Sequence, residues 1–215
     1  MKYINVTSEM IEQLTTNLIE QLTGSKALAD KLTISMPIKI KAEPEDKPTV
    51  YITTIAERKI KALVDMAKEE IAWHGTVTRD LETNSYCIED IFVFPQEVTH
   101  STADATDDYL PWLNELDDDT FNKLRFHGHS HVNMGTSPSA TDKKYQESML
   151  TPIKDFYIFA IYNKRGDYTM FLYDMDKNYM YETEDIIYIS ELTEAIDWAA
   201  EQIDEKVVKP VKVTT

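Results

Sequence analysis

The spacing of apolar residues divides the chain into helical and extended stretches. Met10, Leu14, Leu18, Ile19 and Leu22 recur at helical spacing, which predicts one or two amphipathic helices over residues 8 to 35. The charged stretch Lys41 to Pro48 carries two prolines and reads as a linker, so residues 1–48 form a helical extension ahead of a main domain at 49–215. Thr49 to Thr54 suggests a strand or extended lead-in, and Ile60, Leu63, Val64 and Ala67 mark a helix ending near Glu69. Two strands follow, Ile71 to Arg79 and Ser85 to Phe94, joined by Asp80 to Asn84. The acidic run over residues 100 to 119 lacks the spacing and central glycine of a calcium loop and reads as a solvated, partly helical insertion. A helix is expected over Asp142 to Leu150. Strands are expected over Phe156 to Tyr162, Tyr168 to Tyr173 and Asn178 to Ile189. Leu192, Ile196, Ala199 and Ile203 lie on one face of a final helix, Glu191 to Lys206. Helices mixed with sequential hairpins imply an α+β layer fold.

Charge and composition narrow the function. A net charge of −16 and a pI near 4.7 argue against nucleic acid or an anionic membrane as the main partner. The single cysteine, Cys87, excludes an intramolecular disulfide and fits a reducing compartment. With no secretory leader pattern and no membrane-length apolar run, the expected location is cytoplasmic.

The chemistry concentrates in His127-Gly-His129-Ser-His131 and the turn that follows it. On a strand, His129 and His131 share one face, so both imidazoles can converge on one cation. Asp142 can add a carboxylate from the start of the next helix, leaving a fourth position open, as in catalytic zinc sites. Along a straight strand His127 stands about 13 Å from His131, too far to share an ion, so it reads as a cavity-wall residue. Ser139 and Asp142 also form a capping-box pattern, which is compatible with a metal role. Trp73 is expected in the core, and His74 beside the cavity without ligating.

These residues resemble the signature of the JAMM (MPN+) zinc metalloproteases: His129-Ser130-His131, six residues after Val132, Ser139, two residues, Asp142. Val132 stands where that family usually has proline. Ile91 to Gln96 resembles the family's second strand running into a Pro-Gln bend, and the resemblance spans roughly residues 50 to 175. It implies a central mixed, mostly antiparallel sheet flanked by helices, in cytidine-deaminase-like layers, and one Zn2+ held by His129, His131 and Asp142. It further implies that Ser139 donates to the oxyanion and that an upstream glutamate acts as general base. Glu70 is the preferred base, because aliphatic Ile71 follows it and sets the strand register, and Glu69 is the alternative. The implied activity is hydrolysis of a peptide or isopeptide bond in a protein or peptide substrate, ubiquitin-like conjugates among them. A non-catalytic MPN-type interaction module and a zinc hydrolase of a small amide are the alternatives. Metallo-β-lactamase sites fit poorly, and amidohydrolase barrels need a longer chain.

Overall fold

The computed structural model describes residues 47–99 and 102–192, together with 12, 15, 16 and 198. The expected N-terminal helices and the body of the expected C-terminal helix lie outside them. The chain divides into two compact units, Met1–Glu45 and Asp46–Thr215, and the fold below belongs to the second.

The elements run β1 (Thr49–Ile52), α1 (Thr54–Met66), β2 (Ala72–Asp80), β3 (Ser85–Phe92), β4 (Gln96–Val98) and β5 (Ala103–Ala105). There follow α2 (Tyr109–Glu115), α3 (Asp118–Lys123), β6 (Leu124–Ser130), α4 (Ala140–Leu150), β7 (Phe156–Tyr162), β8 (Tyr168–Asp174), β9 (Tyr179–Glu182) and β10 (Ile187–Ser190). Eight strands form one mixed sheet in the order β10-β1-β3-β2-β6-β7-β8-β9, while β4 and β5 pair separately. The protein is therefore α+β, as the apolar pattern predicts, and its large mixed sheet is flanked by helices.

The expected single strand over Asn178 to Ile189 is instead two, broken by a 3-10 turn at Thr183–Asp185. β9 and β10 end up on opposite edges of the sheet. Seven strand gaps would separate those edges by about 34 Å if the sheet were flat, whereas the connection from Glu182 to Ile187 reaches about 17 Å at most. The sheet must therefore curl, and the Tyr168–Tyr188 ring contact at 5.2 Å sets β8, next to one edge, against β10 at the other.

The curled sheet carries helices on both faces. Helix α1 is capped by Thr53, whose Oγ1 accepts the Ala56 N–H, and it buries the stripe Ala56, Ile60 and Val64. That stripe packs with Trp73, Ile88, Phe126 and Ile158 in the main core. Leu150 of α4 packs with Tyr157 and Phe159 in a second cluster. The candidate site lies on the α4 side.

Candidate metal centre

The pairing of β2 with β6 sets the site. Ala72 faces His129, Trp73 faces Gly128 and His74 faces His127 in an antiparallel ladder. Cross-strand partners share a face, so Ala72 and His74 lie on the histidine side and Trp73 on the core side. Trp73 lies so close over Gly128 that a Cβ there would sit 2.4 Å from the indole Nε1, so only glycine fits between the two histidines. Ser130 N–H donates to Ile71 O at 2.9 Å. Glu70 lies just outside this ladder, close enough to His131 for its charge to act on that imidazole.

Three ligand atoms converge there. His129 Nε2 and His131 Nε2 are 3.1 Å apart. Asp142 Oδ1 is 3.3 Å from the first, and its Oδ2 is 3.4 Å from the second. Zinc at about 2.05 Å from tetrahedral ligands holds neighbouring ligand atoms about 3.3 Å apart, so the spacing suits such an ion. The proton inventory agrees. His131 Nδ1–H donates to Gly135 O at 2.7 Å, which leaves its Nε2 lone pair aimed at the centre. Asp142 Oδ2 accepts the Ser139 backbone N–H at 2.6 Å, while Ser139 Oγ accepts the Asp142 N–H at 3.1 Å. This reciprocal capping box opens α4 and orients the carboxylate at the same time. Burial would raise the Asp142 pKa, but the two imidazoles and Ser139 hold it well below the usual carboxylate range. Asp142 in turn raises the pKa of His131, with burial opposing and Gly135 and the Glu70 charge assisting. His129, His131 and Asp142 form a group that could hold a metal ion.

Glu70 and Glu69 do not sit on a strand; they occupy the bend between α1 and β2. Glu70 is 5 % exposed and lines a cleft with His129 and Asp142, whereas Glu69 faces solvent. The bend is pinned at both ends. Glu70 N–H donates to Thr99 O at 3.1 Å, and the Gln96 amide spans both backbone groups of Ala72 at 2.9 and 2.8 Å. Gln96, from the Pro-Gln bend, thus fixes where Glu70 begins, a role with no signal beyond its motif.

His127 lines the cleft wall and does not join the ligand group. Burial, reinforced by neighbouring His74 and His129, pushes its pKa well down. His74 stands behind it, ring centroids 5.3 Å apart, with Nε2 2.8 Å from the Tyr109 hydroxyl. Burial lowers the His74 pKa to about 4, the Phe126 backbone opposing. Two further residues of the cleft carry no sequence signal of their own: Tyr145, one helical turn beyond Asp142, and Asp104 on β5.

After His131 the backbone takes a left-handed turn at Val132, with φ of 48°. That conformation is rare for a β-branched residue and closed to proline. This turn therefore follows a backbone path that a proline at position 132 would not allow. It is clamped from β7 and the turn beyond. His131 N–H donates to Tyr162 O and Lys164 N–H to Val132 O, both at 2.8 Å.

The fold and the site together define an α+β protein with a His/His/Asp group able to hold a metal ion. No known protein family matches the chain, and no curated protein does. Among solved structures it is similar to protein DSY2949 from Desulfitobacterium hafniense, at 19% identity over 66% of this chain and 94% of that one, with a TM-score of 0.46. Among the described residues no helix is long and apolar enough to cross a membrane.

Proposed function

We propose that this chain is a zinc-dependent hydrolase of peptide or isopeptide bonds, of the JAMM kind. The observation that carries the reading is the convergence of His129 Nε2, His131 Nε2 and Asp142 at the edge lengths of a tetrahedral zinc site, with buried Glu70 on the same cleft. A bound zinc supplies Lewis acidity to a carbonyl oxygen and brings the pKa of water toward about 7. Glu70 takes a proton from the attacking water and returns it to the departing amine as the carbon–nitrogen bond breaks, leaving a carboxylate product. The Ser139 oxygen is occupied as an N-cap acceptor, but its own proton remains to donate to the carbonyl oxygen as that gains charge. The substrate is a protein or peptide, and the single cysteine supports a cytoplasmic setting.

Metal analysis tests the centre. Purified protein should hold one zinc per chain, His129→Ala and His131→Ala should lose it, and His127→Ala should keep it. Glu70→Gln should retain zinc yet cleave no member of a peptide library, whereas Glu69→Gln should be close to silent. Full zinc in both ligand variants, or wild-type cleavage by Glu70→Gln, would refute the assignment.

A further inference from the structure

A second cavity, of about 370 Å³, lies on the α1 side of the sheet, where β7 and β8 come round to β1 and β10. That is room enough for a small molecule. Ile52, Ile60 and Val64 wall it, together with Tyr162, Tyr168 and Tyr188, whose rings follow one another at 6.3 and 5.2 Å. Most charges on its lining are already matched. Lys61 pairs with Asp65 and Asp167 with Arg165, each at 3.1 Å, and Lys164 Nζ donates to Asp65 O at 3.2 Å. Glu57 accepts the Ser190 hydroxyl and meets no cation among the described residues. The Tyr162 hydroxyl is buried, and no hydrogen bond of normal geometry engages it among the described residues. Its polar neighbours are Tyr188 and Glu57, which line the same cavity. Burial raises the pKa of both phenols, while their contact lowers that of Tyr162 and raises that of Tyr188. Tyr188 is thus the donor in that contact, and the Tyr162 proton has no acceptor. The same wall holds the metal loop from its other side. Tyr162 O accepts the His131 N–H and Lys164 N–H donates to Val132 O, both at 2.8 Å, and Asn163 Nδ2 donates to Met134 O at 2.9 Å. Three consecutive residues line the cavity and clamp the turn that carries His131.

We propose that this cavity binds a small neutral ring compound bearing a hydrogen-bond acceptor, and that its occupancy tightens the hold on the metal. The aromatic and aliphatic walls take the ring, and the acceptor satisfies the Tyr162 proton, which is costly to leave buried and unpaired. The acceptor belongs to a neutral group such as a carbonyl, because the Glu57 carboxylate repels an anion at that corner. A ligand that orders residues 162–164 also orders the turn they clamp, so zinc and ligand favour one another, each by the same factor. The coupling rests on the metal centre of the hydrolase reading, and not on its chemistry.

Three probes of similar size test the chemistry by NMR titration of the full chain. Acetophenone offers a neutral acceptor, benzoate a charged one and ethylbenzene none. Acetophenone should bind about fivefold more tightly than either of the others. Tyr162→Phe, which keeps the backbone carbonyl that holds His131, should retain zinc and bind acetophenone no better than ethylbenzene. Glu57→Gln, whose amide oxygen can still accept from Ser190, should admit benzoate, so the cavity is tested even should the first variant fail to fold. Saturating acetophenone should tighten zinc binding about fivefold, and zinc should tighten acetophenone by the same factor. Acetophenone binding no tighter than ethylbenzene overturns the proposal, as does a preference that survives Tyr162→Phe, or benzoate still excluded from Glu57→Gln. Zinc affinity unmoved by acetophenone overturns the coupling. These readouts involve no cleavage, so a chain that binds acetophenone and zinc cooperatively yet cuts no peptide would remove the hydrolase and leave this site standing. Cleavage by a chain blind to acetophenone would do the reverse.

Discussion

At the scale of single residues, Val132 departs furthest from the pattern the site resembles. A β-branched residue at φ of 48° costs about 1–2 kcal/mol, and it persists because Tyr162 and Lys164 clamp the turn on either side. Proline cannot follow it, since its ring fixes φ near −65°. Val132→Pro would complete the family signature in sequence, yet it should destabilise this protein by more than about 1 kcal/mol and weaken zinc binding by displacing His131. Thermal unfolding and zinc titration of the variant check this; wild-type values for both would mean the turn does not need its left-handed residue. Glu70 and Glu69 make the same point about adjacency. Two neighbouring acids are indistinguishable by charge, and only the bend before β2, pinned by Gln96 and Thr99, buries one and exposes the other.

At the scale of elements, α4 carries two functions at its first turn. Ser139 caps the helix, and through the capping box it also aims Asp142 at the histidines. The two roles respond differently to substitution. Ser139→Gly leaves a tolerated N-cap and should cost only a few tenths of a kcal/mol. It also removes the hydroxyl, and turnover should fall on the order of 10²–10³-fold if that hydroxyl stabilises the oxyanion. Zinc content, melting temperature and kcat of the one variant distinguish the outcomes; unchanged turnover would leave Ser139 as a cap alone. The strand pair β2–β6 shows how elements combine. Gly128 admits the Trp73 indole on one face, and that close approach holds the ladder whose other face presents His127 and His129.

At the scale of the whole molecule, the fold buries His74 as a neutral group near its centre. Its folded pKa, about 4, lies below the ordinary value of 6.5. Above pH 6.5 neither the folded nor the unfolded chain protonates it, and stability does not change on its account. Between pH 6.5 and 4 the unfolded chain takes up a proton that the folded one refuses, so stability falls as pH falls and levels off below about 4. The loss is on the order of 3 kcal/mol. Unfolding of metal-free protein across this range should therefore follow a shallower slope in His74→Gln than in wild type. Equal slopes would show that His74 is not the group responsible.

The sequence by itself determined whatever depends on short spacings. Alternation and helical periodicity marked most strands and α4 to within a residue or two, because each element buries its own face. The interval from His129 through Ser139 to Asp142 set the ligand group, because one strand, one turn and one helix start supply all of it. Tertiary structure decided what depends on distant segments meeting. It brought Glu70 to a centre 59 residues along the chain, through the β2–β6 pairing together with the bend pinned by Gln96 and Thr99. It split the expected last strand between both edges of the sheet, because curling made a four-residue connection sufficient to join them. Local periodicity is written in neighbours, whereas a site assembled across strands depends on pairings that no stretch of sequence contains alone.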